Sequence, residues 1–178
     1  MNKTWIWTAP DADELQRFAA VELQRYLQRL FKFSAEIITT APAEPACCFV
    51  LGLAAAPHIR QASGFLPALS PQGHVLRRVA PDTMILAGGS SAAVTWAVYE
   101  LVERYGVRYL LHEDVFPESP GAFHLPDVDV VLEPVLSLRS WRQFNDLPTG
   151  PAMWSLAQQQ AFIRQIFKLK FNGIYLSL

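Results

Sequence analysis

The stretch ILAGGSSAAVTWAVYELVERYGVRYL, residues 85–110, decides the fold. It opens on apolar residues that read as the end of a buried strand and breaks at Gly88-Gly89. Ser90 or Ser91 then stands where a helix N-cap belongs, because a hydroxyl there accepts from an otherwise orphaned backbone N–H. Val94, Ala97, Val98, Leu101, Val102 and Tyr105 recur at three- and four-residue steps, the spacing of one buried helix face. Gly106 sits where a left-handed C-cap ends such a helix. A strand, a tight glycine loop and an amphipathic helix make one piece of an α/β layer.

Working outward, GHVLRRVAPDTMILAGG predicts a hairpin, with strands over 75–79 and 83–87 about a Pro81-Asp82 turn. TWIWTA (4–9), SAEIITT and CCFVLGLA have strand composition, and HIRQASG reads as a short helical turn. Between the first two strands runs DELQRFAAVELQRYLQRLF. Leu15, Phe18, Ala19, Leu23, Tyr26, Leu27 and Leu30 form one stripe there, and Asp11 with Glu14 gives a capping-box pattern. Downstream, VRYLLHED reads as a strand, and residues 115–137 as an extended connection with one strand near 128–132.

After Pro134 the composition changes. SLRSWRQFND predicts a strand and LPTGPAMW a loop. SLAQQQAFIRQIFKLKF predicts a third amphipathic helix, with Leu156, Phe162, Ile163, Ile166 and Phe167 on its apolar side. NGIYLSL predicts a final strand parallel to the one before the helix. The chain thus divides near residue 134 into an α/β domain (1–133) and a lone repeat of something larger (134–178). The last strand has nothing after it to cover its edge, so the chain is expected to have been cut there.

Composition narrows the function. Apolar residues make up 51% and charged residues 17%, the balance of an ordinary globular protein. The net charge of −1, with Lys and Arg spread along the chain, gives no footprint for nucleic acid and no polybasic membrane anchor. No run of about 18 apolar residues predicts a membrane span. MNKTWIWTAPDADEL does not read as a secretory signal, and localisation stays open because a leader could have been removed. Cys47 and Cys48 are adjacent, a spacing that rarely bridges, and read as two small apolar side chains in a strand. Neither CxxC nor a His cluster suggests a metal, and no cofactor is expected.

The order and motifs resemble the small N-terminal domain of β-N-acetylhexosaminidases and α-glucuronidases. Gly88, Ala97-Val98-Tyr99 and Gly106-Val107-Arg108 carry the resemblance, with Ala92 or Ala93 where a second glycine is usual. EPVLSLRSWRQFND and FIRQIFKLKFNGIYL resemble the first strand, first helix and second strand of the catalytic barrel in the same enzymes. The Arg–Trp–Asn-Asp order fits the α-glucuronidase branch better. The resemblance implies an α/β (α+β) fold: a mixed β-sheet with amphipathic helices packed on one side, then a partial (β/α)8 barrel βαβ unit. It also implies that the whole enzyme hydrolyses O-glycosidic bonds of an oligosaccharide or polysaccharide.

Such cleavage needs two carboxyl groups flanking the bond. The acidic residues here cluster in the first helix, in HEDVFPE and in DVDVVLE, and none pairs with another on a barrel strand end. HED (112–114) reads as a solvated strand end. In the related enzymes the catalytic carboxylates come from later strands, so no catalytic residue is expected and the fragment should be inactive. Binding candidates are Arg139, Trp141, Arg142, Asn145, Asp146 and Trp154. Arginine forks suit sugar hydroxyls or a uronate, and indole rings suit a pyranose face. The resemblance makes Arg142 the nearest match to a sugar-contacting arginine on the first barrel strand. The alternative for these residues is a structural role between the two domains.

Two other readings stand beside this one. The 88–91 loop could cradle a nucleotide phosphate at a helix N-terminus, although it lacks a P-loop lysine and dinucleotide spacing. The chain could also be a structural or interaction domain, self-associating through exposed barrel elements.

Overall fold

A computed structural model describes residues 3–43, 46–143 and 153–176. In chain order the elements are β1 (Thr4–Trp7), α1 (Glu14–Phe31), β2 (Glu36–Ile38), β3 (Cys47–Leu53), α2 (Pro57–Ser63), β4 (His74–Ala80) and β5 (Thr83–Gly88). There follow α3 (Ser91–Arg104), β6 (Arg108–Tyr109), β7 (Asp114–Val115), β8 (Asp129–Leu132), β9 (Ser140–Gln143), α4 (Leu156–Lys168) and β10 (Gly173–Leu176). They form two units, Met1–Gly106 with Pro117–Pro134, and Val107–Phe116 with Val135–Leu178.

The first unit is built on a mixed sheet with strand order β2-β1-β3-β5-β4-β8 among the described residues. β2, β1, β3 and β5 are parallel, whereas β4 runs antiparallel to both β5 and β8. The period of two along each strand sends alternate side chains to opposite faces. Ile6, Phe49, Met84 and Leu86 share the face covered by α1 and α3, the two long amphipathic helices. The His74–Trp96 and Phe49–Phe123 ring contacts lie on that side, with Phe31 of α1 also against Phe123. Trp7, Val50, Ile85, Ala87 and Val75 share the other face, against Ile59 of the short α2 and Leu66 and Leu69 of the segment after it.

Both long helices are delimited by the chemistry of their ends. Ser90 caps α3, its Oγ accepting from the Ala93 N–H, and Gly106 follows the helix at φ +94°, a conformation that glycine adopts without a Cβ clash. Gly88 is required for another reason. A Cβ there would lie 2.4 Å from the Val94 nitrogen, so only glycine lets β5 turn directly into α3. The cap of α1 is Asp13, not Asp11, whose carboxylate accepts from the Gln16 N–H at 2.8 Å. Asp11 matches the four-residue pattern but falls in the turn that precedes the helix, where Ala12 N–H donates to the Ala9 carbonyl. Buried Leu23, Tyr26, Leu27, Val98, Tyr99 and Leu101 supply the apolar contact between and beneath the helices. Burying each such side chain is worth about 1.5–3 kcal/mol.

In the second unit, residues predicted as one strand form a hairpin instead. β6 pairs antiparallel with β7, and Leu110 N–H donates to the Glu113 carbonyl to close the turn. No glycine or proline marks that turn, so an apolar run reads as a continuous strand. β9, α4 and β10 form the expected βαβ unit with parallel strands in the register Trp141–Ile174 and Arg142–Tyr175. Ser155 and Gln158 form a reciprocal capping box at the start of α4. Of the predicted apolar stripe, Phe162 and Ile166 are buried, whereas Leu156 and Ile163 are exposed.

Candidate functional site

The residues singled out from the sequence meet on β9, and strand alternation separates them by role. Trp141 turns toward α4. Its ring meets Phe162 edge-on at 5.5 Å and Phe171 at 6.0 Å. Trp154, just before the helix, meets Phe162 at 5.4 Å. Both indoles therefore serve the apolar layer between strand and helix, in the edge-to-face geometry that aromatic quadrupoles favour.

Arg142, one residue on, points to the opposite face of the β9–β10 pair, which carries no helix of the βαβ unit. Its register partner on β10 is Tyr175, so the two side chains stand side by side, and both are exposed. A guanidinium fork beside a phenol offers several hydrogen-bond donors and an aromatic surface within one small area. Tyr175 is not among the residues nominated from the sequence. The alternation of Tyr175 with Ile174 was the signal available for it.

Arg139 is held differently. Its Nε donates to the Lys170 carbonyl at 2.8 Å and its Nη1 to the Leu136 carbonyl at 3.0 Å. Its backbone N–H donates to Asn172 Oδ1 at 2.7 Å, and Asn172 returns a bond from its own N–H to the Arg139 carbonyl. The Asn172 amide also donates to the Ser137 carbonyl. These bonds tie the chain before β9 to the turn before β10, where Lys170 adopts φ 65°. Burial of the guanidinium lowers the Arg139 pKa from its usual value. Arg139 thus lies at the amino-terminal end of β9, and Arg142 toward its carboxyl end. Asn145 and Asp146 lie outside the described residues.

The acidic groups complete the inventory. The described acidic residues of the second unit are Glu113 and Asp114. Glu113 is exposed and 3.3 Å from His112. Asp114 is not a solvated strand end, since its carboxylate is buried and bonded by Lys168 Nζ and Gln165 Nε2. β9 and β10 themselves carry no carboxylate.

The 88–91 loop is closed by its own side chains. Ser90 Oγ accepts from Ala93 N–H and donates to the Pro71 carbonyl at 2.5 Å. Ser91 Oγ donates to Asp13 Oδ2 at 2.5 Å, placing a carboxylate of the chain beside the start of α3. An anion would have to compete with that fixed negative charge. Among the described residues no group of three His, Cys, Asp or Glu side chains is arranged to hold a metal ion. None of the described helices is long and apolar enough to cross a membrane.

No protein-family model matches the chain. No curated protein sequence matches it either. Solved structures do share its fold. A family GH115 4-O-methyl-α-glucuronidase with specificity for decorated arabinogalactans aligns over 98% of this chain at a TM-score of 0.72 and 16% identity. A mutant Streptomyces plicatus β-hexosaminidase in complex with its product GlcNAc aligns over 97% at 0.60 and 13% identity. A GH138 enzyme targeting pectin rhamnogalacturonan II aligns over 79% at 0.51 and 13% identity. The chain spans only 25%, 30% and 16% of those three chains respectively. The mixed α/β fold, with four helices among the described residues, is therefore one that occurs within glycoside hydrolases.

Proposed function

We propose that this chain is the N-terminal portion of a carbohydrate-active glycoside hydrolase. Residues 1–133 would be the accessory α/β domain and 134–178 the first βαβ unit of a (β/α)8 catalytic barrel. The observation that carries the reading is the β9–α4–β10 unit, with Arg142 and Tyr175 on its helix-free face. In a closed barrel that face lines the interior, and the carboxyl ends of the strands build the active site. Similarity in fold to three glycoside hydrolases, over nearly the whole chain in two of them, supports the assignment.

Within this reading Arg142, exposed on the helix-free face beside Tyr175, is the residue of β9 that would meet a sugar, through hydroxyls or a uronate carboxylate. Trp141, Trp154 and Arg139 are engaged in holding the βαβ unit together. Asn145 and Asp146, which come next in the sequence, are further candidates for contact with the sugar. An α-glucuronidase or a hexosaminidase activity would belong to the whole enzyme, since acid–base cleavage needs two carboxylates that β9 and β10 do not carry. The hairpin 107–116 would then be a contribution of the N-terminal segment to the second unit.

Sequencing the encoding gene beyond the codon for Leu178 tests the proposal. Successive strand–helix units with Asp or Glu at later strand ends are the expected result. A stop codon directly after Leu178 would overturn it. The 178-residue chain should show no turnover of aryl glycosides, and clear hydrolysis would contradict the assignment of the carboxylates to later strands.

A further inference from the structure

In the first unit a cavity of about 680 Å³ opens beside the carboxyl ends of β3 and β5. Its volume falls within the range of small-ligand sites, roughly 300–1,000 Å³. The carboxyl end of central parallel strands is also where open α/β sheets take ligands. Leu53, Ala54, Leu66 and Leu69 give it an aliphatic wall, and Phe65 stands at it with 84% of its surface exposed. The Phe65 backbone is held in place, its carbonyl accepting from Arg77 Nη1 at 3.1 Å. One charged side chain lines the cavity, Arg60 of α2, and its guanidinium is paired with no described side chain.

An aliphatic wall with a single cation at its edge fixes the chemistry of what fits. A sugar would lose the hydration of several hydroxyls against side chains that offer them no partners, which is unfavourable. A neutral apolar molecule would leave Arg60 unused. We infer that the cavity binds a small monocarboxylate with an apolar aryl or alkyl body, its carboxylate on the Arg60 fork and its body between Leu53, Leu66 and Phe65. The guanidinium presents two parallel N–H groups to a carboxylate, and the body removes apolar surface from water. This inference is independent of the glycosidase reading, because no residue of the second unit takes part.

Titration of the 178-residue chain with 4-phenylbutanoate, followed by calorimetry and by amide shifts of residues 53–69, tests it. Saturable binding is expected, with the shifts confined to the cavity wall. Arg60→Gln should weaken 4-phenylbutanoate by about tenfold, the scale of one hydrogen bond to a charged group. It should leave the weaker binding of 4-phenylbutanol unchanged. Ala68→Trp, at an exposed position on the rim, should remove binding of both compounds while preserving the melting temperature. Absence of saturable binding, equal affinity for glucuronate, or an unchanged affinity in Arg60→Gln would each overturn the proposal.

Discussion

Lys168 Nζ lies 2.7 Å from Asp114 Oδ1 and 2.9 Å from Oδ2, and both side chains are more than nine-tenths buried. Gln165 Nε2 adds a third bond to the same carboxylate at 3.1 Å, and the ammonium sits over the Tyr109 ring. Two charges removed from water are tolerable only because each is the other's partner. The pair joins the C-terminal turn of α4 to the 107–116 hairpin, and so accounts for the grouping of that hairpin with the second unit.

Breaking the pair from one side should therefore cost more than an exposed ion pair would. Asp114→Asn or Lys168→Met is expected to destabilise the second unit by about 3–5 kcal/mol, because each leaves a buried charge uncompensated. The double replacement Asp114→Leu with Lys168→Met should recover most of that loss. Urea titration followed by the fluorescence of Trp141 and Trp154 reads the effect. Equal losses in single and double variants would show that the charges are not coupled.

Asp13 makes a prediction with a pH signature. Burial pushes its carboxyl pKa up, but bonds from the Ser91 hydroxyl and the Gln16 N–H outweigh that and leave it below the ordinary carboxylate range. A group with a lowered folded-state pKa stabilises the fold above its unfolded value, near 3.9, and that contribution fades as pH falls through the folded value. Asp13→Ala should cost about 1 kcal/mol at neutral pH, the usual loss of a helix cap. The gap between wild type and variant should narrow as the pH falls below the unfolded value and through the lower folded one. A gap independent of pH would exclude the carboxylate as the source.

How far the sequence alone led is clearest at these same residues. The strands, the 74–88 hairpin and the long helices were legible because period and turn chemistry are local properties. The α1 cap was misplaced by two residues because Asp11 and Asp13 are chemically equivalent, and only the turn closed by Ala9 and Ala12 distinguishes them. Asp114 passed for a solvated strand end because its partner lies 54 residues away. Trp141 and Arg142 were both nominated for sugar binding. Which of them faces the helix depends on the register of β9 with β10, a long-range fact. Tyr175 was overlooked for the same reason, since its pairing with Arg142 exists only once the strands are aligned.

The two cysteines should be inert in the folded protein. Burial pushes the Cys47 thiol up to about 12, with further raising by Cys48 and Asp82. It pushes Cys48 up to about 11, again with help from Asp82. The thiolate is the reactive form, so near pH 8 a negligible fraction of either is available. Native protein should react with a thiol reagent far more slowly than a free cysteine, and both sites should label at once in guanidinium chloride. Fast labelling of the native chain would show that β3 opens readily.

The arginines of β9 and its approach offer the sharpest separation between structure and binding. Arg139 spends two guanidinium bonds on the carbonyls of Leu136 and Lys170, so its removal strands acceptors at the turn before β10. Arg139→Ala should destabilise the second unit by about 1.5–3 kcal/mol, and Arg139→Lys should restore little, because an ammonium cannot reach both carbonyls as a fork does. Arg142 is exposed on the helix-free face, and Arg142→Ala should change stability by no more than about 0.5 kcal/mol. In the longer enzyme proposed above, that same substitution should raise KM or lower kcat/KM for the sugar substrate while leaving the melting temperature unchanged. Arg139→Ala should show the opposite pattern, a lower melting temperature with kcat/KM retained in the protein that stays folded. If Arg142→Ala instead unfolds the βαβ unit, the arginine belongs to the scaffold and the helix-free face loses its claim to be a binding surface.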